Sequence, residues 1–235
     1  MSSGLLGVTE EAPDLGNFPP EIQDIIRKAV EDPEKLPISA HEELARQVLE
    51  RAVASVCYVT PAVKLSMRII EKDKKENYLK CLLQICTKLY QERKRTLNTT
   101  PYSASPCPRF SAFRQFLQQL YCQVKEKKSS YKLKYQGMTP MKAILIILYS
   151  SCWDCLIPPI SEGKMDSLSF AMTSTGPDLE NGLPDRFPKL MEKIRDAFLQ
   201  TATIPSVKKS LLHIIELHAS KWKLSSEAVT YYDTN

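Results

Sequence analysis

Between Phe187 and Trp222 two apolar stripes at helical spacing stand almost end to end, and no other stretch limits the fold as much. In the first, Leu190, Ile194, Phe198 and Leu199 recur at that spacing; in the second, Val207, Leu211, Leu212, Ile214, Ile215 and Leu217 do the same. The break between them runs only from Thr201 to Pro205. Helices joined so closely fold back antiparallel, and each stripe must then be buried on its partner and on the preceding pair. The stretch predicts one unit of a helical stack.

The same pattern runs upstream. Pro19 and Pro20 open a helix with Ile22, Ile25, Ile26 and Ala29 on one stripe, before Pro33 and Pro37 interrupt. Ser39, with Glu42 three residues on, predicts a capping box for a second helix with a wide face of Leu44, Ala45, Val48, Leu49, Ala52, Val53 and Val56. A third follows Thr60-Pro61, and a fourth is expected from Glu76 to Arg95, burying Tyr78, Leu79, Leu82, Leu83 and Cys86. Thr96 to Pro108 reads as a loop. Phe110, Phe113, Phe116, Leu117, Leu120, Tyr121 and Val124 mark the next helix, Lys125 to Gly137 a basic loop, and Thr139-Pro140 the start of an apolar helix through Leu156, stopped by Pro158-Pro159. From Ile160 to Pro184 the expectation is a short helix capped by Asp166, then loop over Thr173 to Leu183.

Residues 1–17 read as a disordered lead, 18–222 as a helical-repeat domain and 223–235 as a tail. Eight or nine helices in successive antiparallel pairs imply a right-handed stack in which each pair covers its neighbour. With 7 glycines against 16 prolines, proline-punctuated helices are favoured over a sheet rich in tight turns, so the fold class is all-α.

Three segments carry a resemblance. Arg195 and the Phe198-Leu199 helix end, a proline break, Leu211-Leu212, Ile215-Glu216-Leu217 and a closing Trp222 resemble the last helical pair of the middle domain of eukaryotic initiation factor 4G. Leu82-Leu83-Gln84-Ile85-Cys86 leading to Tyr90 and Glu92 is similar to that family's second pair, as is Ala52-Val53 followed by Thr60-Pro61, and Phe113 to Leu120-Tyr121 is similar to its central helix. The likeness spans residues 18–222. It is greatest to small proteins built around one such domain: the poly(A)-binding-protein-interacting factor, the cap-binding-complex-dependent factor and the histone stem-loop-binding-protein partner.

The resemblance implies a HEAT-like (armadillo-type) stack and a non-enzymatic scaffold in mRNA translation or RNA metabolism, in the cytoplasm and also the nucleus. Its implied partners are the DEAD-box initiation helicase, another translation initiation factor, or an RNA-binding protein. The family would supply a longer helical pair over 160–184, where this chain reads as abbreviated. Direct capture of the cap-binding protein is not predicted, because Tyr78 to Leu83 matches the Tyr-x-x-x-x-Leu-apolar motif poorly and lies within a core helix.

Several function classes are disfavoured by the residues themselves. The longest apolar run, Ala143 to Tyr149, is far short of the roughly 20 residues that span a bilayer, so no membrane segment is expected. Met1 to Pro20 lacks the apolar core of a secretory signal. Seven scattered cysteines fit reduced thiols, and glycosylation at the Asn98 sequon is not expected. Cys152-Trp153-Asp154-Cys155 is a C-x-x-C that a redox pair or half a zinc site could use, but no second pair stands at matching spacing, so core cysteines are the expectation, with no metal and no cofactor. His213 and His218, five residues apart, face about 140° away from each other on a helix and cannot share a metal as H-E-x-x-H does. No nucleophile elbow, phosphate-binding glycine loop or dinucleotide fingerprint is present, and no catalytic residue is assigned.

Three basic runs remain: Lys64 to Lys75, Arg93-Lys94-Arg95, and Lys125 to Lys134. The net charge of +5 permits a contact face for RNA or an acidic partner without requiring one. A fourth helix of about 20 residues is roughly 30 Å long, which puts Lys72, Lys74 and Lys75 at one edge of the stack and Arg93, Lys94 and Arg95 at the other. Because the second group leads into the Pro-Ser loop, Arg93, Lys94 and Arg95 are the predicted partner-binding residues. The rival reading is an RNA-binding helical repeat acting through the basic runs. An enzyme using Cys152 and Cys155 is a remote third.

Overall fold

The computed structural model describes residues 15–97, 108–127, 131–200 and 204–233. Prolines set many of the helix starts. Pro20, Pro140 and Pro205 occupy first helical positions, where the missing N–H would have had no partner. Thr139 caps the helix after it by accepting from the Lys142 N–H at 3.3 Å. In order the helices are α1 (Pro20–Glu31), α2 (Ile38–Ala54), α3 (Val59–Lys72), α4 (Asn77–Gln91), the single turn α5 (Arg93–Thr96), α6 (Pro108–Glu126), α7 (Pro140–Cys155), α8 (Glu162–Gly182), α9 (Phe187–Gln200), α10 (Pro205–Ala219) and α11 (Ser226–Asp233). No strand occurs among the described residues; the sole extended pairing is an isolated bridge between Tyr135 and Met138.

The long helices form two layers. α1, α3, α6, α8 and α10 follow one another in one layer and α2, α4, α7 and α9 in the other, with α2 wedged against α4 and α6, and α8 against α7 and α10. This is the all-α, HEAT-like stack of helix pairs, and its core is continuous from Leu15 to Ile214. Burial of aliphatic stripes between layers drives it, at about 25 cal/mol per Å² of apolar surface removed from water.

Several boundaries differ from the sequence expectation, each for a local reason. α2 starts at Ile38 directly after Pro37, and no side chain caps it, so Ser39 and Glu42 form no capping box. Val56, expected on the buried face of α2, lies 48% exposed in a 3₁₀ turn after the helix has ended. Thr60-Pro61 falls inside the first turn of α3, where proline is tolerated. The fourth helix breaks at Glu92 instead of running to Arg95. Leu15, three residues before Phe18, is already buried in the core.

The largest correction is at 160–184. In place of a short helix and a loop, α8 runs 21 residues, with Pro177 inside it. The region is not abbreviated. Its inward positions are Met165, Leu168, Met172, Thr175, Gly176 and Leu179, a helical register that a threonine and a glycine conceal when only apolar letters are counted. Gly176 is there because the Trp222 ring lies on it: a Cβ would come 2.0 Å from that ring. Glu180, one turn on, accepts from Trp222 Nε1 at 2.7 Å. Trp222 itself lies past the end of α10, in a left-handed turn with Lys221. Beyond it the tail folds back as α11, where Tyr232 donates to Glu216 at 2.7 Å and stacks on His213. Most of the expected break at Thr201 to Pro205 lies outside the described residues, as does most of the Thr96 to Pro108 loop.

Candidate functional site

Two of the three basic runs meet at one end of the stack. The turn from α3 to α4 carries Lys74 and Lys75, and the segment from residue 131 lies against it because Glu76 accepts both the Lys132 N–H at 2.8 Å and the Leu133 N–H at 2.6 Å. Glu76 holds a left-handed backbone at the start of α4, which turns its carboxylate out of the helix and toward that segment. Tyr135, largely buried, extends the contact by donating to Thr87 Oγ1 at 3.2 Å. From the end of α6, Lys127 pairs with Glu71 at 2.6 Å and Lys125 with Asp178 at 2.7 Å.

The outcome is an edge on which Lys74, Lys75, Lys80, Lys132 and Lys134 are exposed, and none of them forms an ion pair among the described residues. Lys72, at the same edge, donates to the Val30 carbonyl. Five exposed ammonium groups with no ion pair among the described residues give this edge a positive potential suited to an acidic surface or to phosphates.

The predicted partner-binding residues lie at the other end of α4 and have different surroundings. Arg93 is 22% exposed and grips Asp154 of α7, with Nε 2.6 Å from Oδ2 and Nη2 donating to Oδ1 at 3.0 Å. Its guanidinium lies 4.1 Å over the Tyr90 ring, and Tyr90 donates to the same Asp154 at 2.8 Å. Arg93 therefore belongs to the structural joint between α5 and α7, a correction to its grouping with its neighbours. Lys94 is exposed, and Arg95, also exposed, pairs with Glu92 at 2.9 Å. No basic residue between Lys64 and Lys94 signals in its local sequence whether it faces an acid from a distant helix, and Lys80 is one of these.

The C-x-x-C is core. Cys152 and Cys155 are both 2% exposed on α7. Burial pushes the Cys152 thiol up to about 12, and burial raises Cys155 as well, against the opposing pull of Arg114, which donates to its sulfur. Thiols held this firmly protonated are poor nucleophiles. Among the described residues no group of three or more His, Cys, Asp or Glu side chains converges as a metal site. His218 packs among Phe187, Trp222 and Glu180, and His213 against Tyr232, so the two histidines have separate surroundings. Among the described residues no helix is long and apolar enough to cross a membrane.

No family model matches the chain. Individual relatives do. A MIF4G domain-containing protein A of Xenopus laevis is 23% identical over 223 residues, covering 92% of this chain and 91% of the relative. A MIF4G domain-containing protein of Rattus norvegicus is 24% identical over 226 residues, 93% of each. A CBP80/20-dependent translation initiation factor of Xenopus tropicalis is 23% identical over 195 residues, which is 81% of this chain and 30% of that longer protein. The chain is thus similar over most of its length to small MIF4G domain proteins, in line with its resemblance to the middle domain of initiation factor 4G.

Proposed function

We propose that this chain is a non-catalytic scaffold in mRNA translation, holding a translation initiation factor or an RNA-binding protein along the basic edge formed by the α3–α4 turn and residues 131–134. The observation that carries the reading is likeness along nearly the whole chain to MIF4G domain proteins, together with likeness to a protein named as a translation initiation factor. The edge supplies a physical means: lysines with no ion pair among the described residues, on the α3–α4 turn and on the segment from residue 131, which Glu76 pins to that turn. Lys94 and Arg95 form the alternative contact at the opposite end of α4.

A second reading, direct binding of RNA, is favoured by the convergence of two basic runs. Salt separates the two. A protein that neutralises several phosphates loses affinity steeply as salt rises, whereas capture of a protein partner survives nuclease treatment. The deciding experiment is a pull-down from cytoplasmic extract with and without RNase, using wild type, a charge reversal of Lys74, Lys75, Lys132 and Lys134, and a charge reversal of Lys94 and Arg95. RNase-resistant capture of an initiation factor or RNA-binding protein, lost in the first variant and kept in the second, is expected. Capture abolished by RNase supports RNA binding. Loss in the second variant alone moves the partner to the α5 end.

A further inference from the structure

We propose that the cleft between α6, α7 and α8 binds an acidic side chain, aspartate or glutamate, presented by a protein partner beside an apolar residue. Arg114 forms its floor. Although only 7% exposed, this arginine makes no ion pair among the described residues. Its guanidinium donates through Nη1 to the Cys155 thiol and lies 5.0 Å from the Phe110 ring centre, while Nε is buried with no hydrogen-bond partner. A guanidinium brings five N–H donors, and among the described residues the Cys155 sulfur is the one acceptor found for them. Desolvating a cation costs several kcal/mol, and an opposing carboxylate ordinarily offsets it. Among the described residues no carboxylate pairs with Arg114, although Asp166 lines the same cleft.

The surroundings match such a ligand. The cleft holds about 240 Å³, enough for a single side chain and its neighbour but not for a folded surface. Ser111 and Ser167 put hydroxyls on its walls, and Leu148, Ala171 and Phe170 form an apolar side. Phe170 is 53% exposed, one of few large apolar side chains left outside the core. Charge selects the anion. Arg114 is the one cation among the lining residues, and the exposed Asp166 lines the same cleft. One carboxylate neutralises Arg114. A phosphoryl group, carrying about −1.5 to −2 at neutral pH, would leave surplus negative charge next to Asp166. The parts of α6, α7 and α8 that line the cleft include none of the lysines of the basic edge, so this anchor stands independently of the function proposed above.

Isotope-labelled full-length protein titrated with acetyl-Glu-Leu-amide, acetyl-Gln-Leu-amide and acetyl-phosphoSer-Leu-amide tests the proposal through backbone amide shifts. The Glu peptide should shift Ser111, Ser167 and Phe170 saturably, and the Gln peptide should bind on the order of tenfold or more weakly, the scale of a lost charge-assisted hydrogen bond. Asp166→Asn should tighten the Glu peptide about threefold, the effect of one unit charge several ångströms away under water-like screening. Arg114→Met should abolish binding. Should that variant fail to fold, the Glu and Gln comparison on wild type and the Asp166→Asn titration still decide. Absence of saturable shifts, or equal binding of the Glu and Gln peptides, overturns the site; tighter binding of the phosphoserine peptide overturns the choice of carboxylate.

Discussion

Arg93, Lys94 and Arg95 are adjacent in sequence and carry the same charge, yet they have different physical roles. Arg93 makes a two-pronged ion pair with Asp154 in a partly buried setting, where charge-assisted bonds are strong and screening is weak. Removing one partner leaves the other desolvated and unpaired. Arg93→Ala should therefore lower stability by about 1–3 kcal/mol, whereas Lys94→Ala should change it by less than about 0.5 kcal/mol; urea unfolding midpoints of the two variants check this. Cys152 supplies a second test at this scale. Its thiol titrates near 12 in the folded chain against an ordinary value of 9.0, because burial disfavours the thiolate. Between those values the unfolded chain binds fewer protons than the folded one, so stability falls as pH rises. The stabilisation is fully present below pH 9 and is lost toward pH 12. Unfolding midpoints measured from pH 8 to 10.5 should decline, and the slope should be shallower in Cys152→Ala.

At the scale of elements, α8 and α10 pack along their length, and past the end of α10 one ring fills a glycine notch in α8. Trp222 reaches Gly176 and Glu180 from a left-handed turn, and that geometry leaves no room for a methyl group. Gly176→Ala should destabilise by about 1–3 kcal/mol through overpacking, and Trp222→Ala should couple to it. A double-mutant cycle giving simple additivity would show that the two do not meet. The stripe of α10 is narrower than its letters suggest. Leu211, Ile214 and Leu217 are buried, while Leu212 and Ile215 are half-buried and Leu199 of α9 is 74% exposed. Leu211→Asp should consequently unfold the α9–α10 pair, since a charge on a buried face costs several kcal/mol. Leu212→Asp should do much less, and far-ultraviolet melting of the two variants distinguishes them.

Across the whole molecule, a two-layer stack gives interior helices two neighbours in their layer and terminal ones a single neighbour. α6 lies inside its layer, and α2, although first in its own, is covered by α1, α3, α4 and α6, whereas α10 closes one end, its outer side touched by α11 through the Tyr232 bond to Glu216 and the ring stack on His213. Local opening should follow that order. Amide hydrogen exchange is expected to be fastest in α11, intermediate in α10 and slowest in α2 and α6; equal protection of α11 and α2 would contradict a stack held by nearest-neighbour burial.

The sequence by itself determined the helices that are apolar in the plain sense, α1, α2, α3, α4, α6, α7, α9 and α10, several of them opened by proline, along with the all-α class and the buried character of Cys152 and Cys155. Helical periodicity is a local property, and the hydrophobic effect acts on each stripe wherever its neighbours lie. Tertiary structure alone decided the rest. α8 was illegible because Thr175 and Gly176 are buried positions whose reason is a threonine bond to Ala171 and the ring of Trp222, the latter far along the chain. The roles of the basic residues were illegible for a related cause. Whether a lysine or arginine is a free charge depends on whether an acid from another helix reaches it, as Asp154 reaches Arg93, Glu71 reaches Lys127 and Asp178 reaches Lys125. Those meetings are set by how the layers pack, and spacing within a single helix carries no record of them.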